Sequence, residues 1–280
     1  MTTSARVTTG RHPVEGASLY YEVRGQGPTL LMIPGGGGDA GYYTPVADLL
    51  ADEYAVITYD RRGNSRSTRD DRRDLVVAEQ SADARSLIDA LGAAPAAVFG
   101  NSAGAVIALD LAARFPAGLA TVGAHEPPIL AVLPDAAEQR AFFDRVSAIY
   151  QQQGWYPAWE VFETAIGQEE RDPAAGGPVD QATFDRLAGN LDSMLGRELR
   201  PTIAFTPDIG RIKESGARVI LAGGRKSRDY FYYRTATILA ERLGAEFVEF
   251  PGHHNAYLDH PAAFAATLRH LLARPDAGAR

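Results

Sequence analysis

The chain has 280 residues, 45% hydrophobic and 22% charged, ordinary values for a globular protein that buries roughly three quarters of its unfolded surface. Lys and Arg number 28 against 35 Asp and Glu, a net charge of −7, which opposes attraction to phosphate backbones or anionic membranes. There is no cysteine, so disulfides, thiolate metal centres, iron–sulfur clusters and a cysteine nucleophile are excluded.

Met1–Pro13 is polar and lacks the apolar stretch of a signal peptide, and no run approaches the roughly 18 apolar residues of a membrane span. A cytoplasmic protein with no nucleic-acid or membrane partner is expected, with homo-oligomerisation left open. Strand-like runs come first, Leu19–Val23 and then Thr29–Ile33, whose unbroken apolar character suits a strand covered on both faces. Thr44-Pro45 reads as an N-cap followed by proline at the first helical position, ahead of strand Ala55–Tyr59. Val77, Ala84, Leu87, Ile88 and Leu91 share a helical face that stops at Gly92, before strand Ala96–Phe99 and a helix from Ala103 to Arg114. Further strand-like runs are Ala120–Ala124, Arg218–Ala222 and Glu246–Phe250, with a helix near Thr235–Leu243 and a final helix bearing Phe264, Leu268, Leu271 and Leu272. This alternation predicts an α/β fold with a mostly parallel, doubly wound sheet.

Residues 136–215 break the alternation. They offer helical faces at Phe142/Val146/Ile149, Trp159/Phe162/Ile166 and Phe184/Leu187/Leu191/Met194, and read as a helical cap inserted into a core made of 1–135 and 216–280. Asp172–Pro178 is expected to be a loop within the cap, and Pro275–Arg280 a frayed tail.

Gly100-Asn101-Ser102-Ala103-Gly104 matches G-x-S-x-G between a predicted strand and a predicted helix. There a strained turn lifts the serine hydroxyl above the sheet, making Ser102 the candidate nucleophile. A serine hydroxyl needs a base. Of six histidines, His12, His260 and His270 are explained by surface or packing, whereas His253 and His254 follow the last predicted strand.

Glycine-rich loop, serine elbow, helical insertion and late histidine, in that order, resemble the α/β-hydrolase superfamily over essentially the whole chain. Asp60-Arg-Arg-Gly-Asn-Ser-Arg-Ser is similar to that family's D-x-R-G-x-G-x-S turn, with Ser65 in place of a glycine. The resemblance implies a catalytic histidine seven residues before Pro261, which is His254. It also implies an acid after Arg218–Ala222, but Lys226 stands there and Asp229 comes late; some family members place the acid where this chain has Glu126. Zearalenone-type lactonases resemble the chain at Glu126, in the elbow spacing and at Arg186-Leu-Ala-Gly-Asn190. Met194 replaces a substrate-contacting tryptophan of those enzymes, so their substrate does not carry over. By the same resemblance Pro34-Gly-Gly-Gly-Gly-Asp is an oxyanion loop, with donors at Gly36 (Gly37 if the loop is shifted) and at Ala103.

Competing readings attach to the same residues. Gly36–Gly41 satisfies G-x-G-x-x-G with Asp60 after the next strand, a dinucleotide fingerprint in which Arg61 and Arg62 would meet a 2′-phosphate. That reading leaves Ser102, Glu126 and His254 without a role. Arg61, Arg62, Arg66, Arg69, Arg72 and Arg73, interleaved with Asp60, Asp70, Asp71 and Asp74, read as a solvated loop. Trp155, Tyr156 and Trp159 suit pocket lining and cap packing equally. His125 reads as a hydrogen-bonding residue, and His125, His253 and His254 lack metal-ligand spacing, so no metal is assigned. The sequence therefore predicts a cofactor-free serine hydrolase acting on an ester or lactone of a mostly apolar small molecule. The alternative is a non-hydrolytic or small-molecule-binding member of the same fold.

Overall fold

A computed structural model describes residues 6–167 and 180–273. Its eight strands are β1 (Val7–Val14), β2 (Ala17–Arg24), β3 (Thr29–Ile33), β4 (Ala55–Tyr59), β5 (Ala96–Asn101), β6 (Leu119–His125), β7 (Arg218–Gly224) and β8 (Glu246–Phe250). They form one sheet in the order β1-β2-β4-β3-β5-β6-β7-β8. β3 to β8 run parallel, while β1 and β2 add an antiparallel hairpin at the β4 edge. The central strands are buried on both faces: Leu30, Leu31, Met32 and Ile33 are all fully enclosed, as their continuous apolar run requires.

Helices α1 (Thr44–Leu50), α2 (Val77–Ala90), α3 (Ala103–Arg114), α9 (Phe231–Leu243) and α11 (Pro261–Ala273) cover the two faces. One core gathers Leu30, Val46, Phe99, Phe250 and Phe264 on the α1/α11 face. Another gathers Leu31, Ile57, Leu87, Val98 and Ile107 on the α2/α3 face. The chain passes from β4 on one side of β3 to β5 on the other, so the topological switch lies between β3 and β5, where parallel sheets open a crevice at their carboxyl ends.

Between β6 and β7 stand α4 (Ala136–Gln153), α5 (Trp155–Ala165), α6 (Gln181–Ser193), a π turn at Met194–Glu198, α7 (Leu199–Ile203) and α8 (Ile209–Glu214). Phe143, Val146, Ala158, Ile166, Leu195 and Leu199 form their own core, closed from below by Phe231 and Tyr232 of α9. A short helix, α10 (Ala256–Asp259), precedes α11.

Several expectations need correction. The polar N-terminal segment contains β1, whose residues are mostly exposed; an edge strand gains its ladder without a buried face, so it leaves no hydrophobic pattern and tolerates Pro13. Thr44 is the first residue of α1, capped by Tyr43, while Asp39 caps the preceding turn by accepting from Gly41 N–H. α9 begins at Phe231, ahead of Thr235. Phe184 is 60% exposed, because α6 turns Arg186 and Asn190 inward to make polar contacts with the loop after β3. The loop expected at Asp172–Pro178 and the tail at Pro275–Arg280 lie outside the described residues.

The β5–α3 corner depends on glycine. A β-carbon on Gly104 would lie 2.1 Å from the Ile33 carbonyl oxygen, whereas one on Gly189 in α6 would meet nothing within 4 Å. Gly104→Ala should therefore lower the melting temperature steeply or abolish soluble expression. Gly189→Ala should raise stability by up to about 1 kcal/mol through helix propensity. Equal melting temperatures for the two variants in a thermal scan would contradict this account.

Candidate active site

Ser102 follows β5 with φ 56° and ψ −123°, a strained conformation for a residue with a side chain. Its N–H donates to His125 O at 2.9 Å, extending the ladder that pairs Asn101 with His125. The sheet thus fixes the backbone while the turn throws the hydroxyl outward. Glu126 is built alike after β6: φ is 51°, and its N–H donates to Ala222 O at 2.9 Å. Adjacent strand ends therefore present Ser102 and Glu126 side by side.

The Glu126 carboxylate is fully buried. Oε1 accepts the Gly224 N–H at 2.7 Å, and Oε2 lies 2.6 Å from His254 Nδ1, which leaves His254 Nε2 as the ring's other nitrogen. The His254 ring packs on Tyr232 with centroids 4.5 Å apart. His254 and Ser102 line the same cavities, with no hydrogen bond between them among the described residues. His253 points elsewhere: Nε2 is 2.7 Å from Asp259 and Nδ1 accepts the Asn255 N–H at 3.3 Å. Asp229 and Lys226 are exposed. Asp229 borders a surface groove with Arg145 and Arg234 and does not touch His254.

Gly36 and Ala103 border the cavity that holds Ser102. Ala103 opens α3, so its N–H is one of the helix's unpaired donors. The Gly36 N–H likewise has no acceptor among the described residues. Gly37 sits at φ 78° under Tyr42 and Leu187.

The cavity has two lobes sharing Gly36, Ser102, Phe162, Ile166, Met194 and His254. One is walled by Phe143, Leu199, Ile203, Phe231 and Tyr232, with Glu198 and Thr202 as its polar edge. The other adds Tyr42, Asn101, Trp159, Asn255 and Tyr257. Trp159 therefore lines the cavity, whereas Trp155 and Tyr156 are surface residues at 36% and 58% exposure. Among the described residues no group of three or more His, Asp or Glu could hold a metal ion, and no helix is long and apolar enough to cross a membrane.

The Alpha/beta hydrolase family profile matches residues 30–267. The chain is a member of the alpha/beta hydrolase family. It is 35% identical over 273 residues to the hydrolase YraK of Bacillus subtilis strain 168, covering 95% of this chain and 96% of that protein. Two solved structures share the fold: a hydrolase from Pseudomonas aeruginosa PA01 (TM-score 0.73, 19% identity, 95% and 98% of the two chains), and the enol-lactonase from Burkholderia xenovorans LB400 (TM-score 0.72, 18% identity, 95% and 100%).

In this hydrolase the arginine-rich turn after β4 is divided: Asp60, Arg61 and Arg62 are buried, contrary to the reading as a solvated loop, whereas Asp70, Asp71 and Asp74 are exposed as that reading expects. Arg61 is fully buried, Arg62 pairs with Asp83 and Glu79, and Arg66 pairs with Asp60 and Glu22. Arg72 and Arg73 remain exposed. Asp60 is fully buried and accepts from Ala40 N–H and Arg66, so it is committed to the fold and does not present a ribose ligand. Gly36–Gly41 runs into a 3₁₀ turn at Ala40–Tyr43, which removes the helix N-terminus that a pyrophosphate needs. Ser65, at φ 50°, keeps the conformation of the glycine it replaces and offsets the strain through Asn190, which accepts from Ser65 N–H at 3.0 Å and reaches Ser65 Oγ at 2.7 Å. Sequence reasoning missed Glu198, Tyr42 and Tyr257 as cavity residues. Only spacing on the Met194-Glu198-Thr202 helical face could have signalled the first.

Burial resists ionisation of Glu126, yet the neighbouring histidines and the Gly224 N–H hold its carboxyl net below the usual value. His125 shows the opposite balance. Burial, with the nearby histidines, lowers it to about 4 against the pull of Glu126, and Phe99, Phe250 and Phe264 surround its ring. It is neutral and donates from Nδ1 to Asn101 Oδ1 at 2.6 Å. The unfolded chain protonates such an imidazole near pH 6.5, whereas the folded chain does so only near pH 4, so acidification across that window favours unfolding. Stability should fall by about 3 kcal/mol between those limits, read as the urea midpoint against pH. His125→Gln should flatten that slope, and an unchanged slope would contradict the assignment.

Proposed function

We propose that this hydrolase cleaves a carboxylic ester or lactone of a mostly apolar small molecule through an acyl-enzyme on Ser102. The observation that carries the reading is the buried Glu126–His254 hydrogen bond beside a strained serine in the same cavity. His254 accepts the Ser102 proton through Nε2 as Oγ attacks the carbonyl, then returns it to the departing oxygen. Glu126 orients the ring and stabilises its cationic form; its own net preference for the carboxylate suits that role. The free N–H groups of Gly36 and Ala103 receive the developing oxyanion. Water then attacks the ester carbon under the same base.

The helices of 136–215 act as a cap over the core of 1–135 and 216–280. The aromatic and aliphatic walls of the Phe143–Phe231 lobe favour an apolar body and exclude water. The tyrosines and asparagines of the Trp159 lobe suit a more polar half of the substrate. The enol-lactonase activity named for the Burkholderia structure is compatible with such a site, though that likeness carries the fold alone.

Treatment with a small alkyl fluorophosphonate should add one adduct by intact mass, absent from Ser102→Ala. Absence of an adduct from the folded wild type would support the non-hydrolytic alternative, and an adduct on Ser102→Ala would name a different nucleophile. On short-chain aryl esters, Glu126→Gln should lower kcat by about 10³–10⁴-fold with the melting temperature retained. Near-normal turnover would remove Glu126 from the triad.

A further inference from the structure

We propose that the buried Arg61–Glu198 pair positions and polarises the oxyanion loop, making Arg61 a positioning residue that acts through the Gly36 N–H; this rests on the serine-hydrolase reading above. Arg61 is fully buried and bonds the loop at two carbonyls: Nε donates to Pro34 O at 3.1 Å, and Nη2 to Gly35 O at 2.9 Å. The only cis peptide among the described residues is Ala94–Pro95, so Gly35–Gly36 is trans. In a trans peptide the carbonyl and the following N–H point in opposite directions. Holding Gly35 O against the guanidinium therefore turns the Gly36 N–H away from Arg61, and Gly36 borders both lobes with Ser102. A cation on the carbonyl side also draws electron density along the amide, strengthening the N–H as a donor to a negative oxygen.

A lone guanidinium at that depth would carry a heavy desolvation cost. Glu198 offsets it: Oε2 meets Arg61 Nη2 at 2.5 Å, and Oε1 accepts from Asn64 Nδ2 at 2.8 Å. Glu198 closes the π turn that begins at Met194, and Met194 packs on Gly36 so closely that a β-carbon there would come within 2.7 Å of its sulfur. π turns gather at functional sites, and this one grips the loop twice, by an apolar contact on Gly36 and by an ion pair behind Gly35. In the D-x-R-G pattern Arg61 occupies the unspecified position, while the pattern's own arginine, Arg62, is engaged with Asp83. The device therefore belongs to this chain's residues and not to the motif.

The test is the double variant Arg61→Gln/Glu198→Gln, which removes both charges together and leaves neither buried alone. It should lower kcat for aryl esters by about 10–100-fold, below the cost of deleting an oxyanion donor outright, with KM changed by less than about threefold. Affinity for an aryl trifluoromethyl ketone, which forms a tetrahedral oxyanion on serine, should fall by the same factor as kcat. Affinity for the matching methyl ketone should not change. A folded double variant with wild-type kcat and trifluoromethyl ketone affinity overturns the proposal. So does a parallel loss of affinity for both ketones, which marks a merely structural role. If the double variant does not fold, Arg61→Lys serves, since one ammonium cannot engage both carbonyls in the same way; the same split between the two ketones is expected, and its absence overturns the proposal. A wild type that neither turns over esters nor binds the trifluoromethyl ketone removes the serine-hydrolase reading, and this inference with it.

Discussion

Everything at the candidate site depends on how closely the ends of β3 and β5 approach each other. Gly104 lies against the Ile33 carbonyl and Gly100 against the Gly104 carbonyl, each with no room for a β-carbon. Any other residue at these positions would push the first turn of α3 away from the sheet. Ser102 would then lose its place beside the loop of β3, and the Ala103 N–H would no longer border the same cavity as Gly36. The strained φ of Ser102 persists because ladder bonds on one side and the α3 turn on the other leave it no alternative.

The helices between β6 and β7 complete that geometry with polar as well as apolar contacts. Arg186 reaches Asp39 at 2.7 Å, and Asn190 donates to Gly37 O at 2.6 Å. Glu198 adds the ion pair with Arg61. Three side chains from one helical stretch therefore hold the loop of β3, while Met194, Phe162 and Ile166 line both lobes of the cavity. The segment that shapes the cavity also fixes the backbone donors within it, which couples substrate recognition to the proposed chemistry.

Two buried histidines near Glu126 divide the electrostatic work. His254 is hydrogen-bonded to the carboxylate at 2.6 Å, whereas His125 Nδ1 is turned to Asn101 and lies 4.0 Å from it. Burial within its aromatic cage lowers the His125 imidazole to about 4, so that ring is neutral at neutral pH. Tyr257 extends the arrangement by donating to Asn255 Oδ1 at 2.9 Å, tying the loop that carries His254 to the wall of the Trp159 lobe.

The sequence alone determined what short-range constraints encode. Strand-like runs marked β2 to β8 and the elbow motif marked Ser102, while Ala103 as a donor and His254, by its spacing from Pro261, were read through the family resemblance. The strands and the elbow are encoded within a few residues and follow from strand burial, turn sterics and helix starts. Glu126 was legible only through family resemblance, since nothing local distinguishes it from a capping carboxylate; its bond to His254 spans 128 residues. The exposed edge strand β1 left no hydrophobic pattern to read. Arg61 looked like one charge among many on a solvated turn, and only the tertiary structure decided that it is buried, because the carboxylate that makes burial tolerable is Glu198, 137 residues away. Long-range charge pairing leaves no periodicity in a chain, so the folded arrangement alone decides which charges face water and which hold the site.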